Sequence, residues 1–186
     1  MRWRGAFPSM LHPMRTPRAV LPAVLVLLAL AGCGAGRPAP RVWAADVCEA
    51  LGPWREEIDS LTSGAEQQMT AGTTPAQAKE NLVRLLGGAE RASETARGLV
   101  VEAGVPDVDE GDAVADGFAD SLAAVRDAYG KARRTIEGLD PGPDFYDGVT
   151  AAVDTLNKEY DASALDTSNL DSPELARAFA EVPECR

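Results

Sequence analysis

Residues 114–139, "VADGFADSLAAVRDAYGKARRTIEGL", decide the fold class. Val114, Phe118, Leu122, Val125, Tyr129, Ala132, Ile136 and Leu139 recur at steps of 4, 4, 3, 4, 3, 4 and 3. A helix of 3.6 residues per turn places all eight on one face, whereas a strand would need alternation every second residue. Asp109 is placed to cap this helix, and Asp112 in its first turn opposes the positive end of the helix dipole.

The same spacing recurs on both sides of this stretch. Upstream, Val47, Leu51, Trp54, Ile58, Leu61, Ala65 and Met69 form a stripe that keeps its register across Gly52-Pro53. Proline removes an amide donor and crowds the preceding turn, so a kink or short break is expected there. A second helix opens at "TTP", with Thr74 as cap and Pro75 in the first helical position. Its stripe reads Ala78, Leu82, Leu85, Ala89, Ala92, Ala96, Leu99 and Ala103, and Gly104 and Pro106 end it. Gly87-Gly88 and the alanines let a neighbouring helix come close. After "DPGPD", a fourth helix beginning near Pro143 or Asp144 presents Phe145, Val149, Ala152, Leu156 and Tyr160. Ser172-Pro173 then opens a short fifth one carrying Leu175 and Phe179. No segment alternates as a strand would. Steps averaging close to 3.5, joined by short turns, predict an all-α fold: an antiparallel up-down four-helix bundle with a short fifth C-terminal helix.

The first 32 residues stand outside this pattern. Arg2, Arg4, Arg15 and Arg18 lead into a 13-residue apolar run, Ala19 to Ala31, too short to span a bilayer, which takes about 20. It suits the apolar region of an export signal. The run ends in Leu30-Ala31-Gly32-Cys33, which resembles the lipobox of bacterial lipoproteins. That resemblance implies cleavage before Cys33 and diacylation of its thiol. The domain plan is then a signal peptide over 1–32, a flexible tether over 33–44 and one helical domain over 45–186.

Charge and composition exclude several classes of function. All 29 acidic residues follow Cys33 while four of the 18 basic ones precede it, leaving 14 basic against 29 acidic, an excess of 15 negative charges. Nucleic acid requires a basic footprint and is excluded. Anionic lipid would repel the domain, so the acyl chains on Cys33 are its expected link to the membrane. The sole histidine, His12, lies in the signal segment. Without histidine the exported chain has no Ser-His-Asp or Cys-His site and no Glu-x-x-His metal pair, and it has too few cysteines for zinc.

No catalytic residue, metal site or cofactor is therefore assigned. The acidic stretch 106–120 fails the EF-hand spacing, since Gly111 falls fifth and Phe118 twelfth when Asp107 is counted first. Asp107, Asp109 and Asp112 read as a solvated helix start. Tyr129, Phe145, Tyr146 and Tyr160 read as core. Glu80–Arg84, Asp127–Lys131 and Asp154–Lys158 read as exposed pairs along single helices.

Two cysteines remain for the exported domain, Cys48 and Cys185, 137 positions apart. In an oxidising compartment they have one pairing, and an up-down topology returns the tail to the start of the first helix. Redox catalysis favours close spacing such as Cys-x-x-Cys; this separation predicts a structural staple.

"LAGC", "VCEALGPWREEI", "AGVPDVDEGDAV", "FYDGV" and "AFAEVPECR" together resemble the small alanine-rich helical lipoproteins of high-GC Gram-positive bacteria. The resemblance carries no activity or site residues with it. The expected function is that of a non-catalytic, lipid-anchored interaction or cell-envelope accessory protein. It would sit on the outer face of the cytoplasmic membrane and meet a cell-wall or protein partner. A small-molecule or cation-binding lipoprotein with a cavity near the tyrosines is the alternative. A carboxylate-based hydrolase is the third reading.

Overall fold

The stretch read first forms a continuous helix, α3 (Gly111–Glu137), in the computed structural model, which describes residues 36–163 and 172–186. Phe118, Leu122, Val125, Tyr129, Ala132 and Ile136 are buried, as their spacing predicts. The other helices are α1 (Pro40–Gln68), α2 (Pro75–Glu102), α4 (Phe145–Ala162) and α5 (Pro173–Glu181), followed by a single 3₁₀ turn at Pro183–Cys185. The fold is all-α, and Cys48 and Cys185 are joined.

Side-chain pairs fix the directions. Trp43 of α1 reaches Gly104 beyond the end of α2, and Trp54 reaches Ser93, so these helices run antiparallel. Glu94–Arg126 and Glu90–Arg133 set α2 against α3 in the same sense. Lys131–Glu159, with Leu139 against Gly148, does so for α3 and α4. The closest pairings are α1 with α2, α2 with α3, α3 with α4, and α5 with α1. Thus α4 extends the bundle along α3, while α5 and the final 3₁₀ turn cover α1.

Local chemistry explains most boundaries. Thr74 caps α2 and accepts from the Gln77 amide, while the Gln77 side chain answers the Thr74 amide, a reciprocal capping box. Gly104 follows α2 at φ +75°, a left-handed conformation that glycine adopts without a Cβ clash. Ser172 caps α5 and Pro173 is its first residue.

Several expectations need correction. α1 starts at Pro40, five residues before the predicted Ala45, and Trp43 and Ala44 are fully buried. It also runs unbroken through Pro53. The residue preceding α3 is Glu110, at φ +58° and with no side-chain cap, so Asp109 does not cap that helix. The buried face of α2 is rotated by about one residue: Leu86, Ala89, Ser93, Ala96 and Val100 are inside, and Leu99 is 43% exposed. Ser93 conceals this register in the sequence, because a serine breaks an apolar stripe. Its hydroxyl accepts from the Trp54 indole at 3.0 Å and donates to the Ala89 carbonyl at 2.9 Å, so its burial is hydrogen-bonded. On α1 the stripe is buried only to Trp54, and the contacts to the C-terminal segment, at Arg41, Trp43 and Cys48, fall in the first half of that helix. Gly87 and Gly88 do mark close approach, one against Arg133 of α3 and the other against Leu61 of α1.

Candidate functional site

The end of the bundle holding residues 36–43, the loop 103–112 and α5 brings Cys48 and Cys185 together, and the aspartates singled out in the sequence lie in that loop and the first turn of α3. Trp43 anchors this end from the first turn of α1. Its indole donates to the Gly104 carbonyl at 2.8 Å, and its ring lies edge-on to Phe118 at 5.4 Å and to Phe179 at 6.0 Å. Phe118 and Phe179 stack at 5.9 Å, so α1, α3 and α5 meet in one aromatic cluster. Fully burying side chains of this size stabilises by about 1.5–3 kcal/mol each.

The chain before α1 is fixed to the same end. The Pro38 carbonyl accepts from the Asp107 amide at 2.8 Å, and the Arg37 guanidinium pairs with Asp112 at 2.5 Å. Residues 37–44 therefore belong to the folded domain, where the sequence suggested a flexible tether. One turn further along α1, Cys48 bonds to Cys185 with a Cα separation of 5.1 Å. Arg41–Glu181 forms a second link between α1 and the C-terminal helix. Cys33 lies outside the described residues.

An open depression of about 950 Å³ at this end is lined by Arg37, Asp107, Asp109, Glu110 and Glu174. Asp112 is engaged by Arg37, so the three aspartates singled out in the sequence do not converge. Among the described residues no group of three or more His, Cys, Asp or Glu side chains is arranged to hold a metal ion.

Among the described residues the tyrosines pack against other aromatic rings. Tyr129 is buried and edge-on to Tyr160 at 6.4 Å, while Tyr146 packs on Phe145 at 5.2 Å with 48% of its surface exposed. None of these tyrosines lines the groove between α3 and α4, about 330 Å³ bordered by Ala132, Leu139, Ala152 and Leu156. Burial pushes the Tyr129 hydroxyl up to about 12, with the nearby Tyr160 adding to the shift.

Among the described residues ion pairs run both between helices and along them, but not at the four-residue pairs expected from spacing. Asp127 pairs with Arg126 and Lys131 with Glu159, while Arg84 bonds to Gln68 and Asn81. Glu94 receives Arg97 and Arg126, and these charged donors hold its carboxyl down to about 2. A carboxylate held ionised by two guanidinium groups is suited to fixing α2 against α3 and not to donating a proton.

Comparison with known proteins adds no relative: no family model matches the sequence, no curated protein matches it, and no solved structure matches the fold. Among the described residues no helix is long and apolar enough to cross a membrane.

Proposed function

We propose that this chain is a lipid-anchored helical domain on the outer face of the cytoplasmic membrane, a non-catalytic accessory of the cell envelope that works through protein or cell-wall contacts. The observation that carries the reading is Leu30-Ala31-Gly32-Cys33 behind a basic lead and an apolar run. The disulfide between Cys48 and Cys185 supports it, because such bonds persist outside the reducing cytosol. The acidic balance and the lack of histidine after Cys33 support a role without catalysis or nucleic acid. The likeness to small alanine-rich lipoproteins of high-GC Gram-positive bacteria agrees with this assignment.

The antiparallel order gives the domain two unlike ends. The turns at 69–74 and 138–144 lie opposite the end that holds Arg37 and Trp43, so a wall or protein partner meets them first. Mass spectrometry of membrane-fraction protein tests the anchor and should find an acylated peptide beginning at Cys33. A Cys33→Ala variant should leave the membrane fraction, and unchanged retention overturns the reading.

A further inference from the structure

Three residues, Gly34, Ala35 and Gly36, separate Cys33 from Arg37, where the sequence suggested a tether of twelve. The docked segment begins there: Arg37 is held by Asp112, Pro38 by the Asp107 amide, and Trp43 by Gly104. The four Cα-to-Cα steps from Cys33 to Arg37, fully extended, reach at most about 14 Å. The headgroup layer of one leaflet occupies about 5–8 Å of that distance. An acylated Cys33 therefore leaves the bundle end with little room to stand away from the lipid.

The surface at that end is suited to the contact. Val42 lies in the first turn of α1, and Leu99 and Val101 lie in the last turn of the antiparallel α2. They are 54%, 43% and 54% exposed, the large aliphatic side chains left most open among the described residues. The other exposed large hydrophobics are Met69, at the opposite end of the bundle, and Tyr146 and Tyr160 on α4. Of the basic groups at this end, Arg37 is engaged with Asp112 and Arg41 with Glu181. The carboxylates of the 107–110 loop oppose an anionic surface, with a screening distance of about 8 Å at physiological salt.

We propose that the short leash holds this end of the bundle on the lipid headgroup layer, with Val42, Leu99 and Val101 facing it, and leaves the opposite turns free for partners. The proposal rests on lipidation at Cys33 and deepens that reading. Since the anchor makes docking intramolecular, a small contact suffices where a free domain would not bind.

The test uses the acylated chain, purified from membranes and reconstituted in phosphatidylcholine vesicles with a minority of phosphatidylglycerol. A fluorophore is attached at Glu102→Cys, beside the proposed contact, or at Ala71→Cys, at the opposite end. Lipids bearing a nitroxide near the headgroup should quench the Glu102→Cys label several-fold more than the Ala71→Cys label. Inserting about 20 Gly/Ser residues between Ala35 and Gly36, a coil of roughly 25 Å, should bring the two labels to the same weak quenching. Equal quenching without the insertion, in protein that floats with the vesicles, overturns the seating but leaves the anchor intact. Preferential quenching that survives the insertion overturns the leash as its cause. Failure to float overturns the lipid-anchor reading and the seating with it.

Discussion

Replacing Cys185 with serine opens a closed loop spanning 137 positions without changing the apolar packing of α5. On the chain-entropy argument, a cross-link of that length removes about 17 cal/mol/K from the unfolded ensemble, or roughly 5 kcal/mol at 25 °C. That is a ceiling, because residual structure in the unfolded chain lowers it. For a domain of about 150 residues each kcal/mol shifts Tm by about 2–4 °C, so the expected fall is of the order of 10–20 °C. The structure also says where the loss begins. α5 has its close packing on α1, and its Phe179 covers Trp43 and stacks on Phe118. Freed from Cys48, the C-terminal helix should open before the rest of the bundle. Trp43 emission should then shift to the red before the main transition, and the amides of Leu175–Val182 should lose protection in hydrogen exchange. Trp54, tied to Ser93 further along α1, stays shielded and makes the signal local. Dithiothreitol acting on the unaltered chain should reproduce both changes. A Tm within about 3 °C of the oxidised protein, with α5 amides still protected, would refute the reasoning. Two reactive thiols in protein taken from the cell surface would refute the bond itself.

Two further outcomes follow from packing and from charge. A Cβ at Gly111 would lie 2.2 Å from the Pro106 carbonyl oxygen, a backbone atom that cannot rotate away. Gly111→Ala should therefore destabilise by about 1–3 kcal/mol, whereas Gly117→Ala, in open space on the same helix, should stabilise by about 0.5–1 kcal/mol; equal melting temperatures for the two variants would contradict this. The pH profile should narrow at both ends. Tyr129, raised to about 12, contributes stability that is complete below pH 10 and lost as pH climbs toward 12. Glu94, lowered to about 2, contributes stability that is complete above the usual carboxylate range and lost as pH falls toward 2. Denaturant titrations should show Tyr129→Phe flattening the alkaline limb and Glu94→Gln the acid limb, and unchanged slopes in the variants would exclude these groups as the cause.

By itself the sequence determined what depends on period and on count. The stripe of α3 was legible because large apolar residues hold one face over seven consecutive steps and nothing polar interrupts them. Thr74-Pro75 and Ser172-Pro173 marked helix starts through local hydrogen bonds, which need no distant partner. The Cys48–Cys185 staple was legible because, with Cys33 set aside by the lipobox resemblance, two thiols have one pairing. Tertiary structure alone decided what depends on a distant group. Ser93 looks solvent-facing until the Trp54 indole is placed against it, and this hidden contact rotates the α2 face by a residue. Trp43, at the end of the expected tether, is suited to packing on the domain, but only the structure shows that Gly104, Phe118 and Phe179 close around it. Exposed charges paired across helices because close helix contacts brought Glu90 and Glu94 opposite Arg133 and Arg126. Spacing along one chain records which residues share a face, but a side chain's burial is set by what other segments bring to it.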